Sequence, residues 1–205
     1  MRIGIDFDNT IACYDGVFHK AALERGLDVP ALSRDKNGVR DHLNSTGRKD
    51  VFTELQGYVY GARMDLATPY EGALDFVEAA HGTGHDIFIV SHKTAVPVLG
   101  PRYDMHAAAR GFLIARGFAE PDGVIPAARA FFELTKEAKV ARAASLEIDV
   151  FIDDLPEILA MDGWASQTRK ILFDPGGAYL QGTANGQRFE SAPSWVDLRH
   201  LVLGH

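Results

Sequence analysis

Asp6-Phe7-Asp8-Asn9-Thr10 follows directly on the apolar run Met1 to Ile5 and precedes the pair Ile11-Ala12. The run predicts a short N-terminal strand, and the pentapeptide places two carboxylates two residues apart at its end, with a hydroxyl two further on. In extended backbone alternate side chains share a face, so Asp6 and Asp8 point into one cleft and Phe7 away from it. Carboxylates that close repel unless a cation or a shared proton intervenes. The plainer reading of the same residues is the start of a helix, because Asp, Asn and Thr are ordinary turn and capping residues. The rest of the chain decides between the two.

At 205 residues there is room for a full hydrophobic core and a smaller inserted module. The formal net charge of −7 leaves no basic surplus to neutralise a phosphate backbone, which argues against a nucleic-acid polymer as partner. Cys13 is the sole cysteine, so an internal disulfide framework and a cysteine-rich zinc site are excluded. Asp6 interrupts the N-terminal apolar run where a secretory signal needs it unbroken, and no later stretch is long and apolar enough to span a bilayer. A cytoplasmic protein with no membrane partner is expected; the oligomeric state is open.

Further along, Asp86 to Val90 and Val150 to Ile152 are short, almost continuous apolar runs of the kind that form parallel strands buried on both faces. Arg129 to Leu134 and Lys170 to Phe173 read as weaker strands. Helical patterns cover Tyr70 to Ala80, Asp104 to Arg116, Thr135 to Leu146 with a Thr cap, and Ser194 to Leu203. Strands alternating with helices indicate an α/β domain with a mainly parallel sheet, whose ligands bind at the carboxyl ends of the strands. Residues Tyr14 to Thr68 break the rhythm: helix-like pieces at Asp15 to Arg25 and Lys49 to Tyr60 flank a polar stretch around Ser33 to Lys49, and no buried strand is evident. Asp174 to Gly177 and Gly182 to Gly186 mark a long loop before the last helix.

Polar groups stand at three strand ends: Asp6 and Asp8 at the first, Ser91 at the second, Asp153-Asp154 at a later one. The Thr135 helix offers Lys136 and Lys139 near its start. Carboxylates, a hydroxyl and a lysine converging on one cleft suit phosphoryl transfer. Magnesium takes a few carboxylate oxygens together with water and substrate phosphate, which fits Asp6, the Asp8 carbonyl and the Asp153-Asp154 pair. Serine hydroxyl, ammonium and backbone amides stabilise the charge of a phosphoryl group in flight. A carboxylate can itself attack phosphorus, and Asp6 is the best placed to do so.

This order of residues resembles the haloacid dehalogenase superfamily of phosphohydrolases. Asp6-Phe7-Asp8-Asn9-Thr10 matches the first motif, Ile89-Val90-Ser91 the second, Lys139 or Lys136 the third, and Phe151-Ile152-Asp153-Asp154 the fourth. The resemblance implies a Rossmann-like α/β core with helices on both faces of a mainly parallel sheet (residues 1–13 and 69–205) and a small, mostly helical cap inserted after the first strand (residues 14–68). It implies a phosphatase that uses Mg2+ and hydrolyses a small phosphate ester through an aspartyl-phosphate. Asp6 would be the nucleophile and Asp8 the acid that protonates the leaving group and then the base that activates water. Thr10, Ser91 and the lysine would hold phosphoryl oxygens, and Asp153 and Asp154 would fix magnesium directly or through water. Asp8 favours phosphate chemistry, because relatives that cleave carbon–halogen bonds lack this second aspartate.

Within the superfamily, Phe151 to Glu157, Ile171-Leu172-Phe173 and Pro193-Ser194-Trp195 are similar to the small 5′-deoxyribonucleotidase-like group. Val90 departs from it, since that group tends to carry a hydroxyl residue there. His92 and Lys93 either contact a second anionic group of the substrate or face solvent. Phe52, Tyr58 and Tyr60 either stack on a base or belong to the core. The substrate expected is a nucleoside monophosphate or, alternatively, a sugar phosphate; a phosphoaccepting domain of the receiver type and a catalytically silent binding protein are the readings from other classes.

Overall fold

Strand β1 (Arg2–Ile5) runs between two parallel neighbours, with Ile3 opposite Ile87 on one side and Val150 on the other. A strand paired on both edges and covered on both faces has no use for polar side chains, and Ile3 and Ile5 are fully buried. Gly4 has a packing reason: a Cβ there would lie 2.6 Å from Cδ2 of Phe151 on the adjacent strand. The computed structural model describes residues 1–30, 36–179, 183–184 and 186–204.

The remaining strands are β2 (Ala12–Cys13), β3 (Thr68–Pro69), β4 (Asp86–His92), β5 (Ala130–Glu133), β6 (Val150–Asp153), β7 (Arg169–Phe173), β8 (Thr183–Ala184), β9 (Gln187–Arg188) and β10 (Glu190–Ala192). The helices are α1 (Val17–Glu24), α2 (Lys36–Ser45), α3 (Lys49–Gly57), α4 (Ala73–Gly82), α5 (Met105–Ala115), α6 (Lys136–Ser145), α7 (Pro156–Leu159) and α8 (Trp195–Leu203). Six strands form one sheet in the order β10-β7-β6-β1-β4-β5, with every neighbouring pair parallel. This is the mainly parallel α/β architecture expected. The chain fills one side of β1 with β4 and β5 and then crosses to the other with β6, so the order reverses at β1. In open α/β sheets that reversal opens a crevice at the carboxyl ends of the strands.

The chain divides into two compact units. The first comprises Met1–Ala12, Pro69–Lys93 and Ile114–His205 and holds the sheet. Against the sheet, Phe88, Val90, Phe151 and Leu172 pack with Ala143 of α6 and Leu159 of α7. A second aromatic group joins Phe76 of α4, Trp195 of α8 and Phe173 of β7, with centroids 5.1 and 5.6 Å from the indole. Caps set the helix starts as local chemistry requires: Thr135 accepts from the Ala138 N–H, and Ser194 from the Asp197 N–H.

The second unit comprises Cys13–Thr68 and Thr94–Leu113. Its core is aromatic: the Phe18 ring of α1 lies 5.9 Å from Phe52 and 5.7 Å from Tyr60, and Tyr60 lies 5.1 Å from Tyr14. Phe52 and Tyr60 are therefore packing residues, and Tyr58 carries the Arg25 guanidinium over its ring at 5.1 Å. Segment 94–113 is held against α3 and the π-helical turn Tyr58–Ala62 by glycines: a Cβ on Gly57 would meet Pro97, and one on Gly61 would meet Tyr103 at 2.3 Å.

One alternative reading falls away and two sequence expectations need correction. Asp8-Asn9-Thr10 does not start a helix: the Ile11 and Ala12 N–H groups both bond back to the Phe7 carbonyl in a tight turn, with Asn9 at φ 58°, and the next helix begins only at Val17. The polar stretch after Ser33 contains α2, which buries Val39 and Leu43 on one side and solvates the rest; Ser33 to Asp35 lie outside the described residues. The long loop before α8 contains β10, a sixth parallel strand paired with β7; within Gly182 to Gly186, residues 182 and 185 lie outside the described ones.

Candidate active site

The first unit gathers its chemistry-bearing side chains at the carboxyl ends of β1, β4 and β6. Asp6 follows β1 directly, and its N–H donates to the Ile152 carbonyl at 2.9 Å, which extends the β1–β6 pairing and fixes the backbone where the carboxylate emerges. Asp153 ends β6 with no exposed surface. Between them Lys139, one turn into α6, is buried at 1 % exposure. Its ammonium donates to Oδ1 of Asp6 at 2.5 Å and to Oδ2 of Asp153 at 2.6 Å. The other oxygen of Asp153 accepts from the Leu155 N–H at 3.0 Å. Lys136, three residues earlier on the helix, is 39 % exposed and reaches Glu157 instead.

The electrostatics follow from burial. Loss of water alone would lower the Lys139 pKa, but the charges of Asp153 and Asp6 reverse this and hold it above its ordinary value. Burial pushes Asp153 up to about 6, with Lys139 opposing and Asp6 adding to the rise. Asp154 is pushed well above the carboxylate range by burial first and then by Asp6 and Asp153. One lysine does not balance these carboxylates. Asp6, Asp153 and Asp154 each offer an oxygen within 4.8 Å of the others, an all-oxygen donor set suited to a hard divalent cation.

Two hydroxyls belong to the same strand ends, Thr10 in the turn after β1 and Ser91 near the end of β4. Thr10 is fully buried and Ser91 is 1 % exposed, and neither Oγ has a hydrogen-bond partner. A buried hydroxyl left without a partner costs stability, and the usual reason to keep one is a ligand that supplies the bond. The Thr10 carbonyl accepts from the buried Trp195 indole at 3.1 Å, so the last helix helps hold this turn.

Asp8 is not among the three carboxylates whose oxygens lie within 4.8 Å of one another, although its charge adds to the rise of Asp154. The ammonium of Lys93 donates to both its oxygens, at 2.9 and 2.8 Å. Lys93 is 4 % exposed, which excludes the solvent-facing reading. The sequence carried a signal for this: with a two-residue period, Lys93 shares the side of Ser91, whereas His92 falls with Phe88 and Val90 on the side that meets α6. His92 accordingly lies near Glu137, whose carboxyl is held below its ordinary range by its own N–H, by the Thr135 hydroxyl and by His92. The structure thus brings together Asp6, Lys139, Asp153 and Asp154, with the Thr10 and Ser91 hydroxyls and the Asp8–Lys93 pair at the same strand ends, and does not bring Lys136 or His92 to the carboxylates.

An α/β fold of this kind places its acidic side chains at the carboxyl ends of the strands, where open parallel sheets bind their ligands. Compared by sequence, the chain matches no family model and no curated protein. Compared by structure, it is similar to a predicted phosphatase from Clostridium acetobutylicum, with a TM-score of 0.66, 14% identity and coverage of 100% of this chain and 98% of that one. It is also similar to a HAD family hydrolase from Deinococcus radiodurans with bound phosphate and sodium (TM-score 0.58, 17% identity, 99% and 95% covered). The Mycobacterium tuberculosis Protein Tyrosine Kinase A shares the same architecture (TM-score 0.62, 15% identity, 98% and 96% covered). At these identities the likeness establishes a shared fold over nearly the whole chain, and nothing beyond the fold.

Proposed function

We propose that the protein is a magnesium-dependent phosphomonoester hydrolase that works through an aspartyl-phosphate on a small phosphorylated metabolite. The observation that carries this is the buried ammonium of Lys139, shared by Asp6 and Asp153, which come from different strands. The names of the solved structures it resembles, hydrolases and a phosphatase among them, support the same class.

In this reading Lys139 occupies Oδ1 of Asp6 and orients the carboxylate, so that Oδ2 attacks phosphorus as the ester P–O bond breaks. Asp8, entering the step as the protonated acid, gives its proton to the departing oxygen, and the Lys93 ammonium stabilises the carboxylate that results. The resulting Asp8 carboxylate then takes a proton from water, whose oxygen attacks the same phosphorus; the bond to Asp6 breaks, and inorganic phosphate leaves with Asp6 regenerated. Thr10 and Ser91 donate to the phosphoryl oxygens. Magnesium held by Asp6, Asp153 and Asp154 would neutralise charge on the nucleophile and the phosphoryl group. Substrate choice belongs to the helical insertion 14–68, the cap of this reading, and a nucleoside monophosphate is the first class to try, a sugar phosphate the second.

The test is hydrolysis of an aryl phosphate with and without magnesium, followed by nucleoside monophosphates and sugar phosphates side by side. Loss of turnover in Asp6→Asn is expected; turnover that survives it overturns the assigned nucleophile.

A further inference from the structure

Four aspartates and two buried lysines meet at these strand ends, and the lysines divide them unequally. Lys139 bridges Asp6 and Asp153, the two best-buried members of the three-carboxylate group. Lys93 takes Asp8 by both oxygens. Asp8 is only two residues from Asp6, yet it is not part of the group whose oxygens lie within 4.8 Å of one another. A divalent cation attracts every carboxylate that can swing towards it, and a fourth is the natural recruit. An aspartate turned onto the cation could not exchange a proton with a leaving group.

We propose that Lys93 is a positioning residue that keeps Asp8 off the metal-binding group and reserves its carboxylate for the leaving-group side. This rests on the acid–base role given to Asp8 above. The geometry suits the task. The Lys93 N–H donates to the Glu133 carbonyl at 2.8 Å, which continues the β4–β5 pairing one residue past His92 and makes the lysine's base rigid. Its ammonium lies 5.4 Å from the centroid of the Phe7 ring, the residue between the two aspartates. Bonds to both oxygens fix the carboxylate plane, which a single bond would leave free to turn. A buried ammonium is costly without its anion, so the pair holds from both sides.

The experiment is a thermodynamic cycle of wild type, Lys93→Met, Asp8→Asn and the double variant, read first as Mn2+ affinity by electron paramagnetic resonance of the free ion. Removing a positive charge tightens cation binding by itself, and Lys93→Met in the Asp8→Asn background measures that part. The proposal expects Lys93→Met to tighten Mn2+ at least fivefold more when Asp8 is present than when it is Asn. Equal effects in the two backgrounds overturn it. Turnover is the second readout: Lys93→Met should lower kcat at least tenfold on an alkyl phosphate and under threefold on a nitrophenyl ester, and Lys93→Arg should restore most of the loss. A rise in KM with kcat intact would instead make Lys93 a substrate-binding residue and overturn the proposal. Should Lys93→Met fail to fold by circular dichroism, Lys93→Gln replaces it throughout the cycle. If wild type hydrolyses no phosphate ester, the phosphatase reading fails while the Mn2+ cycle still decides the role of Lys93.

Discussion

Lys139 and Asp6, 133 positions apart in the chain, meet at 2.5 Å between Nζ and Oδ1 in a site almost closed to solvent. Breaking a buried pair by removing one partner leaves an uncompensated charge and costs about 3–5 kcal/mol. Lys139→Met should therefore lower the unfolding free energy by about that much at neutral pH and reduce turnover on the order of a hundredfold or more. Lys136→Met, at an exposed position, should do little to either. Urea denaturation and a phosphatase assay on both variants check this contrast.

The raised carboxyls make stability depend on pH in a direction opposite to the common one. Asp153 stands at about 6 and Asp154 well above its ordinary value, both chiefly through burial. Above the unfolded carboxylate range, near pH 4, the folded protein retains protons that the unfolded chain has released, so this contribution to stability is present at lower pH and is lost as pH rises through the folded values. In chelator the site should thus weigh against folding at pH 7 more than at pH 4.5, and added Mg2+ should raise the melting temperature mainly at pH 7, where the carboxylates are free to bind it. Thermal melts of wild type and Asp154→Asn provide the comparison: the variant should lose most of the Mg2+ shift at pH 7. A wild-type shift of equal size at both pH values would contradict the assignment.

Trp195 connects the last helix to the first loop through its indole N–H and the Thr10 carbonyl. Trp195→Phe keeps a ring beside Phe76 and Phe173 but leaves that carbonyl without its donor, at a cost of about 1–3 kcal/mol. Because the Thr10 hydroxyl is assigned to phosphate, inhibition by inorganic phosphate should weaken severalfold while Mn2+ affinity stays near wild type. Equal losses in both would point to general loosening of the fold.

Gly4 and Gly111 offer opposite outcomes for the same substitution. A Cβ at Gly4 would sit 2.6 Å from Phe151 in a sheet with no slack, so Gly4→Ala should destabilise by about 1–3 kcal/mol. Gly111 is exposed inside α5 with nothing within 4 Å, so Gly111→Ala should stabilise by about 1 kcal/mol. Chemical denaturation of the two variants tests both signs.

The strands and helices that the residues predict are those whose signals are local. Val150 to Ile152 is apolar throughout because both its faces are covered, and Thr135 and Ser194 announce helix starts through side chains that reach the third residue on. Strand β10 had no such signal: Glu190-Ser191-Ala192 is short and polar, and it becomes a strand because β7 presents a free edge and Arg169 pairs with Glu190 across it. Helix α2 was hidden by its composition, since only Val39 and Leu43 mark its buried side.

For the site, residue spacing along the chain sets which chemistry is available. Paired carboxylates, a serine, a threonine and lysines at strand and helix ends are properties of spacing, legible in one dimension. Tertiary structure alone decided how they divide. Lys139 rather than Lys136 reaches Asp6 and Asp153, and Lys93 rather than His92 reaches Asp8. Both choices turn on which ammonium is buried against which carboxylate, a contest between lost hydration and a close opposite charge. Its outcome depends on distances across more than 80 residues of chain that no local pattern encodes.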